Sequence, residues 1–510
     1  MNSKLCRIDG LRSHLFALLL LGSLLGGCSS ISPNLQEKSE NEAAPTSSLG
    51  SFGALDRENN LTRNNMRFEE GFGLVGRNLL LDPIVRPFST LSALFSLTAK
   101  STSGFAERTF IEKVRMPHLE KKPIPAVSNA GSMDMDAWER DLDELTGSKA
   151  SLGTIRFLVD GDEYFPRITD AIRNAEDSID VQTYIFDNDD VALEIANLLR
   201  DKSEEVEVKV LSDGLANFIA TRLDSESMPD DVVLPSSMSN YLTYGSRVSF
   251  RRHSNPWLTG DHTKLTIIDA ERAFLGGMNI GREYRYDWHD LMMEVEGPVV
   301  NQLHYEFELA WAQAGFGGDF AWMIRALRGY DRDTSGEGYP IRVLTTSIHN
   351  SELYRAQIEA IRRAQNYIYI ENAYFSDDKI LFELARARRR GVDVRVILPS
   401  TNDSNILDLS NQKAVNVMLR NGIRVYAYPG MTHVKAAVYD GWACLGSANF
   451  DKLSLQINRE INLATSDKAA VRHLLAKVFW PDFMTATELH EPVKLYMRHH
   501  LAEFIADELF

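Results

Sequence analysis

The chain has 510 residues, of which 44% are hydrophobic and 25% are charged, and its formal net charge is −16. This length allows two or more domains or one large two-lobed domain, and the composition is that of a globular protein with a sizeable core. The acidic balance argues against nucleic acid as the partner, because a protein that neutralises phosphates usually needs a basic surface.

The first 28 residues have the pattern of a bacterial lipoprotein signal. A positively charged start is followed by an apolar run over residues 15–25, which is much shorter than the ~20 residues needed to span a bilayer. The run ends in Leu25-Gly26-Gly27-Cys28, which predicts lipidation of Cys28; an unmodified cysteine after an ordinary cleavage site is the alternative. An acylated cysteine anchors a protein to a membrane. Because Ser29 rather than Asp follows Cys28, we expect a periplasm-facing lipoprotein of the cell envelope, in the outer rather than the inner membrane.

Composition along the chain predicts further segments after the signal. The polar residues 29–70 indicate a flexible tether. Residues 71–150 are predicted to be mostly helical, and their apolar stretches fit either helices packed on the main body or a membrane-surface segment. The remaining segments are two similar α/β units and a C-terminal helix, over residues 151–330, 335–490 and 491–510.

The two α/β units share one plan. From residue 151 onward, strand-like and helix-like segments alternate, which is typical of an α/β fold. The order then recurs, and the matching segments are residues 178–186 and 367–375, 206–211 and 392–397, and 247–250 and 424–427. A duplicated unit can close about a pseudo-twofold axis, so that equivalent residues of the two halves meet at the seam.

Each half contains the pattern H-x-K-x4-D followed by G-[GS]-x-N. The residues are His262, Lys264, Asp269 and Gly276-Gly277-Met278-Asn279 in the first half, and His433, Lys435, Asp440 and Gly446-Ser447-Ala448-Asn449 in the second. A single H-x-K would more simply be a core histidine beside a surface lysine. Two complete copies at matching places in a repeat indicate a shared function instead.

The spacing of the pattern suits phosphodiester chemistry. Residues i and i+2 of a strand face the same side, so each strand presents an imidazole beside an ammonium group, and the seam brings two of each together. Lys264 and Lys435 would neutralise the non-bridging oxygens of a phosphodiester. One histidine would attack phosphorus and the other would protonate the leaving alcohol, since imidazole can serve in either role near neutral pH.

The paired patterns resemble the HKD motifs of the phospholipase D superfamily, over about residues 151–485. Asp160-Gly161-Asp162, Tyr184-Ile185-Phe186 and residues 276–284 are most similar to the bacterial cardiolipin synthase branch. The resemblance implies two α/β/α sandwich halves, with mixed sheets flanked by helices and the active site at the seam. It also implies a phosphatidyltransferase that acts through a phosphohistidine, with phosphatidylglycerol as donor and acceptor. Gly277 replaces a frequent Ser, and Leu453 replaces a frequent Arg, which leaves the headgroup contacts open.

The resemblance assigns roles to the motif residues. His262 is the expected nucleophile and His433 the expected acid, and this assignment rests on the family's order because the halves are nearly symmetric. Asn279 and Asn449 would donate hydrogen bonds to phosphate oxygens. The structural alternative is that both residues cap helices after the glycines, and each residue could have both roles.

Four carboxylates complete the predicted catalytic set. Asp269 and Asp440 belong to the motifs, but each stands at a strand-to-turn junction, where it is expected to shape the turn. Asp290 and Glu460 occupy equivalent places after the motifs, and the resemblance implies that Glu460 reaches His262 and Asp290 reaches His433. A carboxylate on imidazole fixes its tautomer and stabilises imidazolium. The alternative for both is a surface salt bridge.

The sequence predicts no metal and no cofactor, because ligand clusters of the usual spacing are absent and the lysines already supply positive charge. The expected partners are a phospholipid and, through the lipid anchor, a membrane.

With water as the acceptor the chain would be a phospholipase D hydrolase that releases phosphatidic acid. The acceptor pocket, to which residues 216–244 are expected to contribute, decides between transferase and hydrolase. An exported nuclease and a non-catalytic envelope scaffold are further alternatives; the acidic charge argues against the first and the complete His and Lys pairs argue against the second.

Overall fold

The computed structural model describes residues 76, 80–128, 131–220, 227–229, 232–253, 259–330, 336–403 and 405–495. The predicted signal with Cys28 and the predicted tether lie outside these residues. Of the predicted C-terminal helix, residues 496–510 also lie outside them, and the described residues 491–495 form no helix.

The N-terminal segment is helical, and helices alternate with strands after it. The helices of the described residues are α1 (Asp82–Val85), α2 (Pro87–Phe110), α3 (Met116–Glu120), α4 (Met135–Thr146), α5 (Asp160–Arg173), α6 (Asp190–Lys202), α7 (Gly214–Ala220), α8 (Met238–Thr243), α9 (Val299–Ala314), α10 (Gly318–Arg328), α11 (Glu352–Arg363), α12 (Asp378–Arg389), α13 (Asn405–Arg420), α14 (Lys452–Gln456), α15 (Lys468–Leu474) and α16 (Trp480–Thr485). Among the described residues, π-helical turns accompany them at Ile111–Arg115, Glu283–Asp287 and Leu475–Phe479.

The strands are short and mostly buried. In the described residues they are β1 (Ser151–Val159), β2 (Ser178–Thr183), β3 (Glu207–Asp213), β4 (Ser249–His253), β5 (Leu265–Ile268), β6 (Arg272–Gly276), β7 (Leu291–Glu296), β8 (Tyr339–Ser347), β9 (Asn350–Ser351), β10 (Tyr367–Asn372), β11 (Asp393–Pro399), β12 (Arg424–Tyr428), β13 (Lys435–Tyr439), β14 (Trp442–Gly446), β15 (Glu460–Thr465) and β16 (Thr487–Leu489). The continuous apolar run of β14 is typical of strands that are covered on both faces, and every residue of β5 and β14 is buried.

The strands form one mixed sheet with the same order in both halves. From the central pair outward, the first half runs β1-β7-β6-β5-β2-β3-β4 and the second runs β8-β15-β14-β13-β10-β11-β12, with β16 beyond β12 and β9 paired to β8. The halves join where β1 and β8 pair antiparallel, with Gly153 opposite Tyr339. The repeated sequence segments are β2 and β10, β3 and β11, and β4 and β12. The predicted fold class, α/β with two similar halves, is therefore confirmed.

Aspartates begin the helices that follow equivalent strands. The carboxylate of Asp189 accepts from Ala192 N–H at 2.7 Å at the start of α6, and that of Asp377 accepts from Ile380 N–H at 2.9 Å at the start of α12. A side-chain oxygen at this position satisfies an N–H group that the first turn leaves without a helical partner. The same local chemistry therefore starts the same crossover helix in each half.

The apolar core has a separate part for each half and a shared part. One cluster lies within the first half and includes Phe165 and Phe274; another includes Trp442 of the second half together with Trp138 and Leu142 of α4. The shared cluster contains residues of both halves, including Phe307 and Phe479. Common burial fixes the two halves against each other and so positions their seam. None of the helices in the described ranges combines the length and the hydropathy that crossing a bilayer requires.

Candidate active site

The two H-x-K segments meet across the seam through backbone hydrogen bonds. The N–H of His262 donates to the carbonyl of Arg459 at 2.9 Å, and the N–H of His433 donates to the carbonyl of His289 at 2.6 Å. In each case the accepting residue immediately precedes the predicted orienting carboxylate of the opposite half. The backbone thus brings each histidine next to that carboxylate.

The side chains complete these contacts. Nδ1 of His262 lies 2.9 Å from Glu460 Oε1, and Nδ1 of His433 lies 2.7 Å from Asp290 Oδ2. All four side chains are buried, so neither contact is a surface salt bridge. A carboxylate that accepts from Nδ1–H fixes the tautomer whose lone pair is on Nε2. Each ring can therefore use Nε2 for attack or proton transfer.

The histidines precede their strands instead of lying within them. β5 begins at Leu265 and β13 begins at Lys435, so the strand period predicted for His262 and Lys264 does not apply to both residues. The lysines nonetheless lie beside the histidines, because Nζ of Lys264 donates to the carbonyl of His262 at 2.7 Å and Nζ of Lys435 donates to that of His433 at 2.6 Å. This contact of the side chain with the backbone, and not the strand period, places each lysine beside its histidine.

Burial controls the charge of both lysines. It lowers the pKa of Lys264 to about 7 and that of Lys435 to about 8, and nearby carboxylates act against this effect at both lysines; the charge of Lys435 lowers the pKa of Lys264 further. Nζ of Lys264 also lies 4.9 Å from the centre of the Tyr184 ring, a distance at which the ring attracts a cation. A phosphodiester anion between the lysines would favour the charged form of both.

Both histidines are neutral in this environment. Burial, followed by the charges of Lys264 and Lys435, holds the pKa of His262 well below its usual range, and the same causes lower the pKa of His433. Burial raises the pKa of Asp290 to about 7 and that of Glu460 to about 8. A neutral imidazole has the lone pair that a nucleophile requires, so the resting site is ready for attack on phosphorus.

Aromatic rings surround the imidazoles. The ring of Tyr184 lies 4.6 Å from His262 edge to face, and the rings of Trp288 and Tyr284 lie 5.3 and 5.6 Å from His433. The sequence reasoning did not assign Tyr284 or Trp288 to the site. In the sequence, both residues lie near Asp290, in the segment that follows the glycine motif. The spacing of aromatic residues does not distinguish a residue that lines a site from one that packs in the core.

The glycine motifs differ between the halves for a reason that the site explains. A Cβ on Gly277 would lie 2.0 Å from Asp290 Oδ1, so the position must be glycine for Asp290 to occupy its place. In the second half the equivalent Ser447 donates its hydroxyl to Glu460 Oε2 at 2.6 Å. The departure at Gly277 therefore follows from the close approach of a shorter carboxylate.

Asp269 and Asp440, predicted as motif members of the catalytic set, belong to turns. Both have positive φ, at 54° and 53°. Asp269 accepts from the backbone N–H groups of residues 176–178, and Asp440 accepts from those of residues 365–367 and of Met133. Their carboxylates are engaged by backbone donors and make no hydrogen bond to His262 or His433 among the described contacts. The expectation that they shape the turn describes them better than a catalytic role.

Neither Asn279 nor Asn449 caps a helix. Asp451 caps α14, and its carboxylate accepts from Ser454 N–H at 2.8 Å. Asn279 donates to the hydroxyl of Tyr284 at 2.7 Å and accepts from Ile185 N–H, whereas Oδ1 of Asn449 is buried without a hydrogen-bond partner in the described part of the chain. The predicted contact of these amides with a phosphate stays a prediction.

A third histidine of the seam, His289, lies among three carboxylates. Nδ1 lies 2.7 Å from Asp160 Oδ1, and Nε2 lies 3.3 Å from Asp482 Oδ2 and 3.9 Å from Glu371 Oε1. His289, Glu371 and Asp482 offer donor atoms within 4.8 Å of one another, as a metal site does. Burial opposes protonation, but hydrogen bonds to Asp160 and Asp482 raise the pKa of His289 to about 11. With carboxylates next to both ring nitrogens, His289 can donate a hydrogen bond from each of them as an imidazolium.

Comparison with known proteins identifies the family of this arrangement. A family profile described as "Cardiolipin synthase, PLD-like domain" matches residues 168–311 and 357–481, which is over half of the chain. The probable cardiolipin synthase YwiE of Bacillus subtilis (strain 168) is 31% identical over 362 residues, which cover 68% of this chain and 68% of that protein. Cardiolipin synthase B of Escherichia coli (strain K12) is 29% identical over 327 residues, which cover 62% of this chain and 76% of that protein.

A solved structure shares the fold. The crystal structure of phosphatidylserine synthase from Haemophilus influenzae Rd KW20 matches 72% of this chain and 97% of its own, with a TM-score of 0.55 and 16% identity. At that identity the likeness shows the common fold alone, whereas the family profile and the more similar relatives show descent. The chain therefore belongs to the cardiolipin synthase family of phospholipase D-like domains and is an enzyme of the phospholipase D superfamily.

Proposed function

We propose that the chain is a phosphatidyltransferase that makes cardiolipin from two molecules of phosphatidylglycerol through a phosphohistidine intermediate. The observation that supports this most is the pairing of His262 with Glu460 and of His433 with Asp290, each across the seam and each buried. Two neutral imidazoles with two lysines between the halves supply every group that a double displacement at phosphorus requires.

The reaction has two steps that conserve atoms and protons. Nε2 of His262 attacks phosphorus of the donor lipid, the bond from phosphorus to the headgroup oxygen breaks, and His433 gives its proton to the departing glycerol. His433 then takes the proton of a hydroxyl on the second lipid, whose oxygen attacks phosphorus and releases His262. Lys264 and Lys435 neutralise the charge that builds on the non-bridging oxygens in both steps.

His433 is neutral in the free site, whereas the proposed acid must carry a proton that it can donate. Bound substrate allows His433 to take up this proton. Its pKa is lowered by burial and by the two ammonium groups. A phosphodiester anion offsets those charges, so binding of the substrate raises the affinity of His433 for the proton that it must donate. The site is thus arranged to become acidic when the leaving group is present.

The choice of acceptor separates transferase from hydrolase. The named relatives are cardiolipin synthases, which supports a lipid hydroxyl as the acceptor. Water in the same position would give phosphatidic acid by the same two steps. Residues 216–244, part of which lie outside the described ranges, remain our proposal for the acceptor side.

A vesicle assay tests the proposed function. The full chain is incubated with phosphatidylglycerol vesicles and EDTA, beside His262→Ala and a matched control, His118→Ala, whose side chain is exposed on α3. We expect cardiolipin and free glycerol from the wild type and from His118→Ala, and at least about a 10³-fold loss in His262→Ala.

Other products would change the proposal. Phosphatidic acid as the main product would show a hydrolase, and loss of activity with EDTA would show that a metal is required. Cleavage of DNA or of a simple phosphodiester without any lipid product would contradict the lipid substrate and leave the site chemistry standing.

A further inference from the structure

The first two helices expose their large apolar side chains. Leu81, Ile84, Phe88, Leu91 and Phe95 follow one another at intervals of three and four residues along α1 and α2, and each is between 57% and 82% exposed. Residues at this spacing share one face of a helix. The result is a continuous apolar stripe on the outside of the protein.

The opposite face of the same helices is buried; it is polar along α1 and the first turn of α2, and it is apolar farther along α2, at Ala93 and Leu97. Asp82, Arg86 and Thr90 are buried, and the guanidinium of Arg86 contacts the carboxylate of Asp82 at 2.5 Å and donates to the carbonyl of Ala314 at 3.0 Å. A helix that faces water has the reverse arrangement, with its charged side out and its apolar side in. The inverted pattern indicates an apolar surrounding for the outer face.

Helix α10 extends the apolar surface. Phe320, Met323, Ile324 and Leu327 share one face of α10 and are at least 38% exposed, and Phe316, just before the helix, is 97% exposed. We call these residues, together with the stripe on α1 and α2, the apolar platform.

Asp319 connects the two parts of the platform. Its carboxylate accepts from the N–H groups of Phe88 and Ser89, both at 2.9 Å. This side chain lies at the start of α10, next to Phe320, and its partners lie in the first turn of α2. The two exposed faces are therefore joined, and the platform is a single surface larger than isolated exposed residues would give.

A cavity connects the platform with the seam. Its volume is about 370 Å³, and its wall includes Phe88, Trp322 and Met323 from the platform region together with Gly260 and Arg459 from the seam. Arg459 N–H donates to the carbonyl of Gly260, and the carbonyl of Arg459 accepts from His262 N–H, both at 2.9 Å. The cavity wall thus lies directly against the backbone that positions the proposed nucleophile.

We propose that the apolar platform docks on a phospholipid bilayer, with its aromatic and aliphatic side chains among the acyl chains, and that the adjoining cavity admits the substrate lipid toward His262. This inference rests on the proposed function, since a lipid substrate gives the occupant of the cavity. A bilayer fits the platform better than a water-facing role because apolar burial drives the binding of such faces to membranes.

Charge contributes little to this docking. The chain has a net charge of −16, which opposes approach to an anionic lipid surface. Apolar insertion must therefore supply the binding, and raising NaCl from about 0.05 M to about 0.5 M should not release the platform, although it screens charge strongly. A docking surface built from basic residues would behave in the opposite way.

Fluorescence quenching tests the docking without reference to activity. Trp322, on α10, is 40% exposed, and Trp480, on α16 outside the platform, is 42% exposed, which makes Trp480 a matched control. Full-length wild type, Trp322→Phe and Trp480→Phe are mixed with vesicles of phosphatidylglycerol and phosphatidylethanolamine that carry brominated acyl chains. Bromine quenches only a tryptophan that contacts the acyl chains, so an anchor elsewhere in the chain does not produce the signal.

The emission of Trp322 is the difference between wild type and Trp322→Phe, and we expect it to fall at least about twofold on brominated vesicles. The emission of Trp480, obtained in the same way from Trp480→Phe, should stay unchanged. A double variant, Phe95→Glu with Leu327→Glu, should abolish the quenching, whereas Met484→Glu, at a position that is 87% exposed outside the platform, should not. The double variant should also lower turnover on vesicles about tenfold while dispersed short-chain phospholipid is still consumed at the wild-type rate.

The outcomes separate this inference from the proposed function. Quenching of Trp322 without any lipid turnover would sink the proposed function and leave the docking. Lipid turnover without quenching of Trp322 would overturn the docking. A change in the mass of the lipid-free double variant by light scattering, with Trp322 not quenched, would show that the platform contacts a second copy of the chain and would also overturn it.

Discussion

The position of Gly277 shows how one missing side chain decides a catalytic contact. Asp290 is fixed on one side by Leu291 N–H at 2.7 Å and on the other by His433. It cannot move away from a new methyl group at residue 277 without losing one of these contacts. Ser447, at the equivalent place, has room because Glu460 is longer and accepts its hydroxyl.

Gly277→Ala should therefore lower kcat at least about 10²-fold, because a displacement of about 1 Å in a catalytic contact has this effect. Ser447→Ala removes one hydrogen bond to Glu460 and should cost about 1 kcal/mol, close to fivefold in rate. Steady-state turnover with both variants, with circular dichroism as the control for folding, measures the difference. A kcat of Gly277→Ala within about threefold of the wild type would contradict this explanation.

The buried lysines predict the alkaline limit of activity. Burial lowers the pKa of Lys264 to about 7 and that of Lys435 to about 8, and an ammonium group is charged only below its pKa. The loss of charge on the lysines should therefore lower kcat/KM as the pH rises through 7 to 8, since the phosphodiester stays anionic. Ionisation of Asp290 and Glu460 over the same range acts in the opposite direction, because only a carboxylate accepts from Nδ1–H of its histidine.

Lys264→Arg checks the cause of this limit. A guanidinium stays charged throughout that range, so the alkaline limb of kcat/KM should move to higher pH even if the maximal rate is lower. A limb that keeps its position in Lys264→Arg would assign it to another group.

At the residue scale, the sequence predicted the groups with repeated, polar signatures. His262, Lys264, His433 and Lys435 were found because each pair occurs twice at one spacing, and their two carboxylate partners were found through the resemblance. The aromatic walls could not be predicted, because contact across the seam depends on the tertiary structure and leaves no spacing in the chain.

Among the elements, the turns after β5 and β13 explain why each motif has an aspartate, Asp269 or Asp440, after its histidine and lysine. Asp440 accepts from four backbone N–H groups between 2.7 and 2.9 Å, and it is buried. This carboxylate connects the hairpin of β13 and β14 to the start of β10 and to Met133 near α4. Its contribution belongs to stability and not to the chemistry at phosphorus.

Asp440→Ala should therefore lower the free energy of unfolding by about 2–4 kcal/mol, because it leaves buried donors without an acceptor and places Ala at a positive φ. The folded fraction should keep kcat within about threefold of the wild type. Urea unfolding followed by fluorescence, together with turnover at low temperature, measures both quantities. His262→Ala is the converse control, with stability kept and activity lost; complete loss of kcat in well-folded Asp440→Ala would return this residue to the catalytic set.

The strands show what alternation in the sequence could and could not predict. The repeated segments became β2 to β4 and β10 to β12, because apolar alternation and β-branched residues indicate strands. The H-x-K residues were expected within strands, but β5 starts after Lys264. The backbone of His262 is hydrogen-bonded to the opposite half instead of to its own sheet, and no local pattern encodes that exchange.

For the whole molecule, duplication is the feature that creates the site. Both halves have the same strand order from the β1 and β8 junction outward, and each gives one histidine and one carboxylate to the other. The fold class was predictable because internal repeats survive in the sequence. The outward apolar face of α1, α2 and α10 was not settled by the sequence, since an apolar period shows that one side of a helix is covered and not what covers it.

The roles of His262 as nucleophile and His433 as acid are tested by the release of p-nitrophenol from phosphatidyl-p-nitrophenol by His433→Ala and His262→Ala. This leaving group needs no proton, so His262 can still attack phosphorus in His433→Ala, but water cannot then be activated to free it. We predict a burst of about one nitrophenol per enzyme from His433→Ala and an acid-labile phosphatidyl adduct on His262 by mass spectrometry, with no burst from His262→Ala. A burst from His262→Ala with the adduct on His433 would show that His433 is the nucleophile, contrary to this assignment.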